Sequence, residues 1–270
     1  MRGFTLLASA VVVTCSSLAN AQTEEPTPLT WVRYFTVEPG HSDEFKDLIL
    51  EYDAPIFDKL IEDGNAVTWG MLSPFTRTGE DWTHAIWITA PSWESYDKLM
   101  EGFMTAEEAR TESQNKKIDD KFLGIVDVAS IHDKVFRHQK LIDSNADDPE
   151  PHYIRFGFYR VKPEHADGAA DLYGDIAGPV YAQLDEQGVI NAAGLAAQEI
   201  VTTSDYTHLS WTVVPSLGSF DKIDAAFMEA KENRSPGDQE RMETFFAEGV
   251  DHDAYRSTIC IITHFKKADH

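Results

Sequence analysis

The chain has little cysteine, little positive charge and no apolar run long enough to cross a membrane. Two of its 270 residues are cysteines, Cys15 and Cys260. Residues 1–21 read as a secretory signal. Arg2 gives the positive start, Phe4 to Val13 the apolar run, and Ala19-Asn20-Ala21 the small-residue cleavage site before Gln22. That run is shorter than the roughly 20 residues a bilayer requires, and Val13-Thr14 ahead of Cys15 makes a poor lipid-attachment site. The expectation is an exported protein, secreted or periplasmic, with no membrane contact after cleavage. Cys260 is then the sole cysteine, which excludes an intramolecular disulfide. Within Ile259-Cys260-Ile261-Ile262 it reads as part of a buried strand.

Lys and Arg number 23 against 46 Asp and Glu, a net charge of −23. Such a surface repels phosphate backbones and anionic membranes, which excludes nucleic acid as a partner. Motifs with a defined chemistry are missing too. There is no H-E-x-x-H, C-x-x-C or P-loop, and no G-x-S-x-G or G-x-G-x-x-G. His132, His138, His252 and His264 are scattered without ligand spacing, so no dedicated metal site is expected.

What the chain does have is itself twice, at a constant offset of 124 residues. Val37 to Ala106 lies over Val161 to Ala230 without a gap, and 24 of the 70 positions are identical. Shared residues include Pro39/Pro163, His41/His165, Pro55/Pro179, Gly64/Gly188, Gly70/Gly194, His84/His208 and Trp87/Trp211. A period this long marks a domain-sized unit rather than a solenoid repeat. The halves are expected at 29–142 and 151–268, joined by the acidic, proline-bearing spacer Asp143 to Pro151.

Each half reads as β-α-β-β-α-β. In the first, Trp31 to Val37 is a strand, and Pro39-Gly40-His41-Ser42 a turn. A helix follows with Phe45, Leu48, Ile49, Tyr52, Ile56 and Leu60 at helical spacing, kinked at Pro55 and ended by Gly64. Ala66 to Pro74 and Thr83 to Thr89 are strands. A second helix opens at Pro91-Ser92, a polar helical extension runs from about Thr105 to Lys121, and a last strand lies near Lys134 to Lys140. The second half repeats this order, ending on a strand at Ser257 to Phe265. The fold class is α+β, built from two ferredoxin-like units. Each has helices on only one sheet face, so the other must be buried. The duplicate supplies a matching surface, and the two sheets together enclose an interior.

Val37-Glu38-Pro39-Gly40-His41 followed by Phe45 resembles the V-x-P-G-x turn that opens the first helix in dimeric α+β-barrel proteins. That superfamily includes antibiotic-biosynthesis monooxygenases, stress-responsive barrel proteins and NIPSNAP-like proteins. The second half departs from it with Glu164 in place of glycine. The resemblance implies an intramolecular barrel here. It leaves the chemistry open, because the superfamily hosts cofactor-free oxygenation, haem handling, cyclisation, dehydration and ligand binding.

Within the repeat, His84 and His208 stand out. Alternation puts His84 with Ile86 and Ile88 on one strand face, and His208 with Ser210 and Thr212; Thr83, Ala85 and Trp87 take the other. An imidazole can serve as acid/base, and a histidine of this kind is frequent in the resembling enzymes. The competing reading is a structural hydrogen bond, His84 to Asp81 and His208 to Asp205. The more polar face around His208 favours it as the functional one. In the haem-binding branches an axial histidine is needed, so His208 keeps haem open as a cofactor; none is required. Trp87 and Trp211 fit core packing or a ligand-facing wall. Tyr34 and Trp69, with Trp31 and Phe75, form an aromatic set that suits either a pocket for a flat apolar ligand or a bulky core. Arg33 and Arg155 are either ion-pair partners or anion binders. The functional expectation is an exported small-molecule enzyme, monooxygenase-like or lyase/isomerase-like, as monomer or homodimer. The alternative is a non-catalytic binding protein for a hydrophobic, anionic or haem-like ligand.

Overall fold

The computed structural model describes residues 27–75, 82–142, 150–200 and 206–268. The expected signal segment, most of the spacer, Asp81 and Asp205 lie outside the described residues.

The first half runs β1 (Leu29–Val37), α1 (Ser42–Tyr52), α2 (Ala54–Glu62), β2 (Thr68–Pro74), β3 (His84–Ala90), α3 (Trp93–Glu108), α4 (Glu112–Ile125) and β4 (Val126–Ile142). The second runs β5 (Tyr153–Val161), α5 (Ala166–Leu172), a π-helical turn (Tyr173–Ala177), α6 (Gly178–Glu186), β6 (Ala192–Gln198), β7 (His208–Val214), α7 (Gly218–Glu232), α8 (Pro236–Thr244) and β8 (Val250–Lys267). Gly40 sits at φ +91, a left-handed conformation that favours glycine. Where Glu164 replaces it, the chain instead takes a 3₁₀ turn over Pro163–His165. Both prolines interrupt their helices as expected: Pro55 starts α2 after a break at Asp53, and Pro179 starts α6 after the π turn.

The last strands are much longer than Lys134–Lys140 and Ser257–Phe265. Each contains a bulge that hides its alternation: Tyr34 faces His132 but Thr36 faces Asp127, so residues 128–131 loop out. The second half repeats this between Arg256 and Asp251. Helix α8 escapes the apolar periodicity because it buries no residue; Ser235 caps it.

Strand order within each half is β4-β1-β3-β2 and β8-β5-β7-β6, and the edges join through β2–β8 and β4–β6. The sheets therefore do more than face one another. They form one closed eight-stranded antiparallel barrel without a free edge, and closure needs no second chain. Outside, Phe45, Leu48, Ile49, Phe57 and Leu60 of α1 and α2 pack on Phe35, Trp69, Ile86 and Ile88. One end of the interior is plugged by aromatic–cation stacks. Tyr34 lies against Trp82 (5.2 Å) and His132 (4.8 Å), while Arg256 covers Phe158 (5.4 Å) and Tyr206 (5.3 Å).

Candidate functional site

The barrel encloses a cavity of about 510 Å³ whose lining is mostly apolar. That size suits a small organic ligand. Its walls are the inward side chains of the strands, among them Val32, Trp87, Phe136, Phe156 and Trp211. The two tryptophans are related by the repeat, and so are the glycines beside them. A Cβ on Gly70 would stand 2.2 Å from the Trp87 indole and 2.6 Å from the His264 carbonyl. On Gly194 it would stand 2.7 Å from the Trp211 indole and 2.8 Å from the Lys140 carbonyl. Glycine therefore lets each indole lie flat across the neighbouring strand and form a wall. Because backbone atoms also block the space, Gly70→Ala is expected to destabilise the protein by about 1–3 kcal/mol. Urea unfolding checks this, with a blue or red shift of tryptophan emission marking the displaced indole.

Polar groups gather toward the end where β1 and β5 start. Register places Thr30, Thr89 and Thr68 side by side across β1, β3 and β2. Thr30 Oγ1 is 2.7 Å from Thr89 Oγ1 and 2.7 Å from His138 Nε2. His138 meets the Trp211 ring edge-on, with centroids 5.8 Å apart. Burial holds its pKa down at about 4, so the imidazole is neutral at physiological pH. Its Nδ1 and the Thr68 Oγ1 are buried with no hydrogen-bond partner among the described residues. Such orphans each cost about 1–3 kcal/mol unless a bound molecule satisfies them.

The repeat shows how asymmetric this is. At the offset of 124, Thr30, Thr89 and His138 become Ile154, Val213 and Ile262, and all three line the same cavity. At these three positions one half is polar and the other apolar, while the second half adds Asn191 to the lining where the first has Val67.

Of the residues singled out in the sequence, the cavity gathers Tyr34, Trp87 and Trp211. His84 and His208 face the other way, under the helices. His84 packs on Phe45 (5.1 Å), and each Nδ1 is 2.9 Å from the preceding threonine hydroxyl, Thr83 or Thr207. The bonds weighed with Asp81 and Asp205 lie outside the described residues. Trp69 is fully buried on the same outer face, its indole N–H donating to Asp58 Oδ1 (2.8 Å). Arg33 and Arg155 are also outside, ion-paired with Asp133 (2.7 Å) and Asp224 (3.0 Å). His138 escaped the sequence reading because a search for polar residues kept in both halves passes over it. The signal that reveals it is the reverse, a histidine two residues after Phe136 on the same strand face with isoleucine at the repeat position.

The interior does not fit haem. Thr30 occupies the His138 Nε2 that an axial ligand would need, and His208 lies on the opposite side of the sheet.

No protein-family model matches the sequence, and no curated protein matches it. Solved structures do match. A candidate monooxygenase of Fusobacterium nucleatum subsp. nucleatum superposes with a TM-score of 0.60 at 10% identity, over 90% of this chain and 95% of that one. A candidate monooxygenase of Lactobacillus acidophilus gives 0.58 at 10% identity, over 90% of this chain and 97% of that one. At this identity the likeness is one of fold. The chain accordingly has the fold of the dimeric α+β-barrel superfamily, with both halves of the barrel carried on one polypeptide.

Proposed function

We propose that the protein is an exported small-molecule enzyme whose substrate occupies the barrel interior, with His138 as acid/base. The asymmetry of the cavity carries this reading. A threonine–threonine–histidine chain stands in one half where the other keeps Ile154, Val213 and Ile262. A buried polar chain is costly in a core that the companion half shows can be built from hydrocarbon. The solved neighbours named as candidate monooxygenases support an oxygenation. A lyase or isomerase step would open with the same proton removal.

The chemistry follows from the geometry. Trp87 and Trp211 hold a flat, largely apolar substrate by its faces. Its acidic O–H or C–H meets the polar pole, where the neutral His138 accepts the proton. In the free protein burial opposes a charged imidazole. A substrate anion formed beside it supplies the opposite charge, and the ion pair offsets that penalty. Thr30, anchored by Thr89, fixes the ring.

Mass spectrometry of ligand released from protein purified from its own exterior tests the reading, followed by thermal shift with the compound found. Stabilisation that Trp211→Ala abolishes, together with conversion of the compound, is the expected outcome. Binding without conversion would indicate a ligand-binding protein. Binding insensitive to Trp211→Ala would refute the interior as the site.

A further inference from the structure

The second half holds a polar cluster on the side of its sheet away from the cavity. Five buried positions of the first half, Phe35, Ile49, Phe57, Ile86 and Ile88, are pure hydrocarbon. At the offset of 124 they become Tyr159, Tyr173, Tyr181, Ser210 and Thr212, each with a hydroxyl. Since hydrocarbon at these five places packs a stable core in one half, packing alone does not account for five hydroxyls in the other.

The hydroxyls converge. Tyr159 Oη is 3.2 Å from Ser210 Oγ, and Thr212 Oγ1 donates to Tyr181 Oη at 3.1 Å. Ser210 and Thr212 are two residues apart on one strand face, a step of about 7 Å. The Tyr173 ring stacks on Tyr181 with centroids 5.9 Å apart. Gly157 makes the crossing possible, because a Cβ there would stand 2.8 Å from both Tyr159 Oη and Ser210 Oγ. The helix above contains the π turn Tyr173–Ala177, a feature frequent at functional positions. In the first half the same place holds only the break between α1 and α2.

Several groups here lack partners. Because Thr212 donates to it, the Tyr181 hydroxyl keeps its own proton to give. The Tyr173 hydroxyl is buried with no partner among the described residues, and so is His208 Nε2, cross-strand from Tyr159. Burial pushes Tyr159 up to about 12 and raises Tyr173 and Tyr181 as well, so all three remain O–H donors. The nearby charges include Arg155, cross-strand from Thr212, Asp224, its ion-pair partner at 3.0 Å, and Lys140, whose Nζ would lie 3.4 Å from a Cβ on Gly174. Two hydroxyl protons, those of Tyr173 and Tyr181, therefore have no acceptor among the described residues.

We propose that this cluster is a second binding niche, separate from the barrel interior, for a small molecule that presents a carbonyl or carboxylate oxygen. Tyr173 and Tyr181 donate to that oxygen, and a carboxylate would also share Arg155 with Asp224. The proposal is independent of the interior reading.

The test follows the ring signals of ¹³C-labelled tyrosine in the full mature chain, during titration with sodium acetate or acetamide against sodium chloride at matched ionic strength. Saturable movement of the Tyr159 and Tyr181 signals is expected. Acetate acting alone marks a carboxylate ligand, and acetamide acting alone a neutral carbonyl. Tyr173→Phe should weaken the response roughly tenfold, and Ser210→Ala gives a second, smaller perturbation. His138→Ala should titrate as the wild type does. Absence of a saturable response to either probe would overturn the niche. So would an undiminished response in both Tyr173→Phe and Ser210→Ala, or its loss in His138→Ala.

Discussion

Turnover by His138→Ala is expected to fall by about two to four orders of magnitude, the usual contribution of a positioned general base, while the fold survives. The variant removes an imidazole whose Nε2 is held by Thr30 and whose Nδ1 is buried without a partner among the described residues. Losing an orphaned polar atom offsets part of the cost of the small void it leaves. The pH profile adds a sharper signature. The base must be unprotonated, and burial holds His138 at about 4, so kcat/KM corrected for the fraction of protein still folded at each pH should stay level from neutral pH downward and fall only near 4. An imidazole in water would place that fall near 6.5. His84→Asn serves as the control, because His84 packs under α1 on the helix side of β3. An acid limb near 6.5, or a His138→Ala variant with full turnover, would remove His138 from the reaction.

Stability should drop steeply between pH 6.5 and pH 4. His84 and His138 are each held at about 4 by burial, and His208 and His264 are lowered for the same reason. In the unfolded chain these side chains take up protons near 6.5. Between the two values the unfolded state binds more protons, so acid favours unfolding; below about 4 the folded protein binds them as well and the loss levels off. At about 1.4 kcal/mol per pH unit, the two histidines held near 4 together withdraw on the order of 6 kcal/mol. That is comparable with the whole stability of an ordinary domain. Asp53 acts in the opposite direction. Burial raises its carboxyl to about 6 despite Arg110 and Arg33, so it favours the folded state as the pH falls. By the same arithmetic it returns about 2–3 kcal/mol, so His84, His138 and Asp53 together leave a net loss of about 3–4 kcal/mol, to which His208 and His264 add in the same direction. Urea unfolding at pH 7.0 and 4.5 measures it, and His138→Leu should flatten the difference by the share of one histidine. Equal stability at both pH values would contradict the buried, neutral imidazoles.

Much of the fold was legible because it depends on patterns the chain states twice. Pro55 and Pro179 interrupt helices wherever the backbone N–H is lost. Gly64 and Gly188 end them at φ +73 and +63. Strand alternation correctly separated His84 from Trp87 onto opposite faces. The bulged halves of β4 and β8 were less legible, since looped-out residues break the period of two on which a strand is recognised.

The candidate site was legible only in part, for a related reason. Polar residues shared by both halves, such as His84 and His208, occupy equivalent places in the architecture and therefore report what each half needs to fold. A cavity shared by two halves is distinguished by what they do differently, as His138 facing Ile262 shows. The sequence by itself determined the duplication, the split of each strand into two faces and the sharing of Gly70/Gly194 and Trp87/Trp211 by the two halves. Which face turned inward was decided by closure of the barrel, because joining β2 to β8 and β4 to β6 puts one face of every strand in a common interior. Only that closure, made between residues more than a hundred positions apart, set His138 beside Thr30 and Trp211 and left His84 and His208 beneath the helices.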